Sequence, residues 1–461
     1  MNRVVIIGGG PGGYESALVA AQLGAEVTVV DTDGIGGSAV LTDCVPSKTL
    51  IATAELMADM EEATELGINL GDPRAGVSVD LLRVNERVKE LALAQSADIE
   101  RRLVREKVRI LRGRGRLDGP NQVVVELNDG GSETVEADAV LVATGASPRT
   151  LDTARPDGER ILSWDQVYDL REVPERLIVV GSGVTGAEFA GAYNALGIDV
   201  VLVSSREHVL PGEDPDAAQV LEQVFARRGM TVLSQSRMES VVRDGDTVTV
   251  TLTDGRTVEG THCLLALGSI PNTADLGLEK AGVNLKDGGF VAVDRVSRTS
   301  ARGIYAAGDC TGVFMLASVA AMQGRIAMWH FLGDAVAPLD LKTVSANVFT
   351  APEIATVGYT QRDVDRGDIH VETVMLGLAG NARAKMHGVR EGFVKLFCRP
   401  GTGIVVGGVV VGPRASELIH PVSIAVSENL TADQLAQAFT VYPSMSGSVA
   451  EAARRLHRYE R

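Results

Sequence analysis

One local pattern constrains this chain more than any other, and it occurs twice. Arg3-Val4-Val5-Ile6-Ile7 is a short apolar strand that leads into Gly8-Gly9-Gly10-Pro11-Gly12-Gly13. A helical stretch, Tyr14 to Leu23, follows, and Val27-Thr28-Val29-Val30 then ends at Asp31. The second copy runs Leu177-Ile178-Val179-Val180, Gly181-Ser182-Gly183-Val184-Thr185-Gly186, a helix from Ala187 to Leu196, and Val200-Val201-Leu202-Val203. In such a unit the first glycine (Gly8, Gly181) permits a tight turn. The second (Gly10, Gly183) lets a pyrophosphate reach backbone N–H groups at a helix N-terminus. The third (Gly13, Gly186) lets the helix pack closely on its strand. Asp31 can accept hydrogen bonds from a ribose. Two copies imply parallel α/β sheets and two dinucleotides, for which a flavin and a nicotinamide nucleotide are the simplest pair.

The second unit ends differently from the first. Where an NAD site carries a carboxylate for the ribose 2′-hydroxyl, this chain has Ser204-Ser205-Arg206. No carboxylate repels a 2′-phosphate there, and Ser205 and Arg206 can bind one, so NADPH is the expected nucleotide, with NADH also possible.

At 461 residues the chain is too long for one core. Its net charge of −16 argues against nucleic acid or an anionic membrane as partner. Cys44, Cys263, Cys310 and Cys398 form no Cys-x-x-Cys pair, so neither a disulfide scaffold nor a metal site is expected. A strand begins almost at once, which leaves no room for a signal peptide, and no apolar run is long enough for an integral membrane segment. A cytoplasmic protein is the expectation. Residues 52 to 111 read mainly as helix, with charged patches such as Glu61-Glu62 and Glu100-Arg101-Arg102 on a solvated face. Val108 to Leu111, Val123 to Leu127 and Ala139 to Val142 read as strands.

The stretch Gly36-Gly37-Ser38-Ala39-Val40-Leu41-Thr42-Asp43-Cys44-Val45-Pro46-Ser47-Lys48 precedes another helical run, which places Cys44 just before a helix N-terminus. It resembles the active-site segment of the flavoprotein disulfide reductases, which reads Gly-Gly-Thr-Cys, four residues, Cys, then Ile-Pro-Ser-Lys. The second cysteine of that motif is Cys44; the first falls on Ala39. The resemblance continues along nearly the whole chain: Ala143-Thr144-Gly145, Leu267-Gly268 with Ser269-Ile270-Pro271-Asn272, Gly308-Asp309, the helix start around Ala317, and the opening of a C-terminal interface domain from about Lys342.

The resemblance implies an FAD domain in two parts (1–150 and 271–341), an inserted NAD(P)H domain (151–270) and an α+β dimerisation domain (342–461), assembled as a homodimer. It assigns FAD contacts to Gly36, Gly37, Gly115, Thr144, Gly145, Asp309 and Ala317, and the crossover to Gly268. Lys48 and Glu188 match the family's ion pair near flavin N5. The family's catalytic His and its orienting Glu fall on Tyr442 and Gly447. A phenol is a weak base near neutrality. Distal thiol, base and orienting carboxylate are thus replaced together, and all three serve thiol–disulfide exchange. The expected activity is hydride transfer from NAD(P)H to FAD and onward to a small flat acceptor such as a quinone, as in the lipoamide dehydrogenase-like NAD(P)H quinone reductases of actinobacteria. A soluble transhydrogenase and a non-catalytic flavoprotein binding module are the alternatives. Cys44 is read as a thiol left beside the flavin; a single redox thiol passing through sulfenic acid is its other reading.

Overall fold

Runs of valine, isoleucine and leucine bounded by glycine set the sheets, because β-branched side chains fit a pleated surface covered on both faces. The computed structural model describes residues 2–69 and 78–457. These form two compact units, the first comprising 2–49, 85–149 and 268–340, the second 50–69, 78–84, 150–267 and 341–457.

The first unit is built on a seven-stranded sheet. Its spatial order is Ile304–Ala306, Ala139–Val142, Arg3–Ile7, Glu26–Asp31, Arg109–Leu117, Gln122–Leu127 and Ser132–Glu136. The first five strands are parallel, and the last two extend the sheet as antiparallel hairpins. Val4, Ile6, Val27, Val29 and Leu141 pack on one face with helix Pro11–Gln22; Val5, Ile7, Val30, Val140 and Val142 pack on the other. Helix Ala317–Leu332 lies tight against helix Pro11–Gln22. A Cβ at Gly324 would overlap the Gly12 carbonyl oxygen, so only glycine allows that approach.

The second unit contains a parallel five-stranded sheet in the order Thr231–Leu233, Asp199–Val203, Arg176–Val180, His262–Leu265, Ile161–Ser163. A three-stranded antiparallel sheet, Met238–Asp244, Thr247–Leu252 and Thr257–Gly260, covers part of it. The C-terminal portion forms an antiparallel five-stranded sheet, ordered Ser345–Val348, Glu353–Gly358, Val405–Gly412, Phe393–Cys398, Glu372–Gly377. Short helices from residue 415 onward cover one of its faces. The α/β reading with two Rossmann-like units and an α+β C-terminal portion holds.

Three local expectations need correction. The helical reading of 52 to 111 breaks into helix Cys44–Glu62, a 3₁₀ turn Ala63–Leu66 and helix Leu81–Arg105, with strand from Arg109; residues 70–77 lie outside the described residues, as do the Glu61 and Glu62 side chains. Glu100 is not simply solvated: it pairs with Arg112 on the neighbouring strand at 2.6 Å. Cys44 does not precede its helix but begins it, because Ser47 N–H closes the first turn on the Asp43 carbonyl at 2.7 Å. Pro46 sits comfortably in that turn, where an N–H has no intrahelical acceptor to lose.

Candidate active site

The two glycine loops share one geometry. Gly8 and Gly181 both adopt φ 110, and a Cβ at either would overlap a carbonyl oxygen of the adjacent strand end, Ala143 or Ala266. A Cβ at Gly13 would overlap the Gly8 oxygen, and one at Gly186 the Gly181 oxygen. Sterics within the chain therefore explain the first and third glycines. The middle glycines are different. Gly10 and Gly183 have ordinary φ values of −69 and −71, and a Cβ on Gly183 would meet nothing within 4 Å. Both are N-caps of helices whose first turn has no side-chain cap. Uncapped N–H groups facing a space that a side chain would fill suit a phosphate. The residues thus fit a dinucleotide at each loop.

Around the first loop the chain closes on itself. Gly36 N–H donates to the Gly9 carbonyl at 2.8 Å, and a Cβ on Gly37 would lie 2.7 Å from Gly10 Cα. The glycines before Cys44 are therefore fixed to the loop. Asp31, expected to meet a ribose, is already held by the chain itself. Its carboxylate accepts from the backbone N–H groups of Gly9 (2.6 Å), Asp33 (2.9 Å) and Gly34 (2.7 Å). Gly115 is buried in its strand, where a Cβ would sit 3.1 Å from Val30 and 3.3 Å from Ile7.

Thr144 and Gly145 sit at a staple. The Thr144 hydroxyl donates to the Asn272 carbonyl at 2.7 Å, the Asn272 amide returns a bond to the Thr144 carbonyl at 3.0 Å, and Asn272 N–H reaches the Gly145 carbonyl. Arg149 N–H closes on the Gly268 carbonyl at 2.9 Å. Sequence reasoning passed over Asn272 as a partner of Thr144 and Gly145; its place directly after Ser269-Ile270-Pro271 was the available signal. Asp309 starts a 3₁₀ turn after Gly308, whose N–H is held by the buried Gln323 side chain at 2.8 Å. Burial, and then the nearby Asp43 carboxylate, push the Asp309 carboxyl up to about 6. Gln323, six residues beyond Ala317, was not legible as a site residue.

Cys44 opens helix Cys44–Glu62 and Lys48 follows its first turn, both half-buried, with Lys48 Nζ 3.3 Å from Ser47 Oγ. Ala39 lies in the short helix Gly37–Leu41. Cys310 is fully buried; its thiol donates to the Ala307 and Val142 carbonyls, and burial raises it to about 11. None of the four cysteines is in a disulfide.

In the second unit Glu188 is 4% exposed on helix Val184–Ala195, and its Oε1 accepts from Phe349 N–H at 2.8 Å. Ser204 is buried at the strand end and shares a 2.7 Å hydrogen bond with Ser182 in the glycine loop. Ser205 and Arg206 are exposed beside it, and among the described residues no carboxylate pairs with Arg206. Tyr442 is 86% exposed on a segment that also presents Phe439 and Val441. Among the described residues, no group of side chains could hold a metal, and no helix is long and apolar enough to cross a membrane.

The comparisons with known proteins agree with this geometry. Residues 2–324 match the model of the pyridine nucleotide-disulphide oxidoreductases, and residues 344–453 match that family's dimerisation domain. The chain is 56% identical to a NAD(P)H dehydrogenase (quinone) of Mycobacterium tuberculosis, over 99% of this chain and 94% of the relative. It is 31% identical to a dihydrolipoyl dehydrogenase of Zymomonas mobilis, over 97% and 96%. The crystal structure of LpdA from Mycobacterium tuberculosis superposes with a TM-score of 0.95 at 55% identity, covering 99% of this chain and 100% of that one. The flavoprotein disulfide reductase RclA of Escherichia coli, at 23% identity, shares the fold with a TM-score of 0.87, over 99% of each chain. Doubled cradle, chain order and matched length all say the same thing: this chain belongs to the pyridine nucleotide-disulphide oxidoreductase family, which uses FAD and NAD(P)H.

Proposed function

We propose that this chain is a homodimeric, cytoplasmic, FAD-dependent NAD(P)H:acceptor oxidoreductase that delivers electrons to a quinone-class molecule without a thiol–disulfide step. One contrast carries the reading. Both nucleotide cradles are complete, yet Ala39 stands where the exchange chemistry needs a sulfur. The name of the Mycobacterium tuberculosis relative, NAD(P)H dehydrogenase (quinone), supports it.

Bound FAD supplies the redox chemistry between nicotinamide and acceptor. The loop Gly8 to Gly13 holds the flavin pyrophosphate through the N-terminus of helix Pro11–Gln22, and Asp31 holds its ribose. Gly36, Gly37, Gly115, Thr144, Gly145, Asp309 and Ala317 line the same cofactor, and Gly268 carries the crossover. The loop Gly181 to Gly186 holds the nicotinamide nucleotide, and Ser205 with Arg206 favours a 2′-phosphate, hence NADPH over NADH. Lys48 would stabilise negative charge on the reduced flavin, and Glu188 is the acidic residue that the family resemblance matches to it. Cys44 is a bystander thiol. Tyr442 belongs to the exposed apolar segment that meets the second subunit. The FAD, NAD(P)H and dimerisation portions divide at about 150, 270 and 341.

Anaerobic addition of NADPH to the flavin-loaded protein tests the reading. The flavin should bleach, and a benzoquinone should restore its colour within one mixing, whereas oxidised lipoamide should not. Faster recovery with an NAD analogue than with any quinone would make the protein a transhydrogenase. Absence of bleaching would leave it a binding module.

A further inference from the structure

The buried ammonium of Lys395 is unusual in the second unit. It lies on strand Phe393–Cys398 of the C-terminal sheet, with its side chain 3% exposed. It donates to both oxygens of Asp214, at 2.9 and 2.8 Å, and to Asp216 at 2.5 Å. Asp214 is itself only 2% exposed and caps helix Pro215–Arg227 by accepting from the N–H groups of Asp216 and Ala217. Burying such a pair costs hydration, and hydrophobic residues of the same volume would stabilise the fold as well or better. A buried pair is thus weak evidence for a purely stabilising role.

The helix that Asp214 caps reaches back to the loop after the second nucleotide strand. Glu222 Oε1 accepts from Val209 N–H at 2.7 Å, and its other oxygen lies 3.3 Å from His208 Nδ1. In the same loop Leu210 takes φ 52, a costly value for a side chain of its size, while its N–H donates to Ser182 in the glycine loop at 2.8 Å. At the loop's start, Ser204 bonds Ser182 and also receives Arg206 N–H. The Arg206 carbonyl also accepts from Gln235 N–H at 2.9 Å, and the loop that carries Ser205 and Arg206 runs from the glycine loop, through the strained Leu210, to the cap under Lys395.

We infer that Lys395, a residue of the C-terminal sheet, is a positioning residue for nucleotide specificity: through Asp214 and helix Pro215–Arg227 it fixes the loop on which Ser205 and Arg206 meet an adenosine 2′-phosphate. The inference rests on the reading of Arg206 as the 2′-phosphate residue.

Calorimetric binding of 2′,5′-ADP and 5′-ADP to the flavin-loaded protein tests both, with melting temperature and flavin content as controls. Lys395→Met alone leaves Asp214 buried without its partner, so the working variant is Lys395→Met with Asp214→Asn, which removes both charges and keeps a capping side chain. The double variant should retain flavin and bind 5′-ADP as before, while its preference for 2′,5′-ADP falls at least about fivefold. Lys395→Arg alone, which keeps a cation beside Asp214, should retain most of that preference. If the double variant folds and keeps the full preference, which Arg206→Ala nevertheless abolishes, the role of Lys395 is wrong and that of Arg206 stands. If the unmodified protein shows no preference for 2′,5′-ADP, the Arg206 reading itself fails. A double variant that loses flavin and both ligands together would show Lys395 to be a structural residue and overturn the inference.

Discussion

Glu188 Oε1 accepts a 2.8 Å hydrogen bond from the backbone N–H of Phe349. The carboxylate belongs to the helix that follows the second glycine loop, and the N–H to the chain between two strands of the C-terminal sheet. Glu188→Gln keeps an acceptor oxygen, so it should melt near the unmodified protein yet slow flavin reduction by NADPH about tenfold or more. Glu188→Ala strands the Phe349 N–H and should cost about 1–3 kcal/mol of stability. Stopped-flow bleaching and thermal melts separate the two. Full-rate reduction by the Gln variant would reduce Glu188 to a structural acceptor.

The glycine loops offer a sharper contrast. Gly186→Ala drives a methyl into the Gly181 carbonyl and should prevent folding of the unit. Gly183→Ala meets open space at φ −71 and should fold normally. Its NADPH affinity should nevertheless fall at least about tenfold, since the methyl occupies the approach of the pyrophosphate. A Gly183→Ala protein that binds NADPH as tightly as before would show that the second loop is not the nucleotide site.

These glycines were legible in the sequence because their spacing is local: the clashes at Gly13 and Gly186 lie within one strand, loop and helix, whereas those at Gly8 and Gly181 are with the distant Ala143 and Ala266 carbonyls. The partners of Glu188 and Lys395 were not legible, since they stand 161 and 181 residues away along the chain. Nothing in the run Gly-Phe-Val-Lys at 392–395 distinguishes a buried ammonium from a surface lysine on a strand. The break in the helix after Glu62 was missed for a related reason. Charged, alanine-rich sequence supports helix wherever packing permits, and the stop is set by the surrounding structure. Asp31 was legible as an acceptor, but its donors were not: a ribose was expected, and backbone N–H groups already occupy the carboxylate as well.

Dihydrolipoamide dehydrogenase activity should be negligible. Exchange with a dithiol needs two sulfurs within bonding reach, and Ala39 supplies none. The buried Cys310 cannot stand in, with its thiol directed at the Ala307 and Val142 carbonyls. Ala39→Cys alone should recover little lipoamide reduction; adding Tyr442→His and Gly447→Glu should recover more. Robust lipoamide turnover by pure unmodified protein would overturn the placement of Ala39 and Tyr442.

Asp309 gives the flavin-free protein a pH signature. Its carboxyl is raised to about 6 by burial and by Asp43, so the folded chain holds a proton there that the unfolded chain has released. The resulting stabilisation is full below the unfolded value of about 4 and is lost as pH rises through about 6. Asp309→Asn should therefore melt higher than the unmodified flavin-free protein near neutral pH, with the gap closing below about pH 4. A gap of constant size across that range would show that Asp309 ionises in the folded chain as it does in water.

The Asp31 carboxylate, held by three backbone N–H groups, cannot turn aside for an incoming anion, and the matching strand end in the second unit carries two hydroxyls and a guanidinium instead. Two cradles of nearly identical shape thus present rims of opposite charge. An adenosine 2′-phosphate would therefore be repelled at the first rim and attracted at the second.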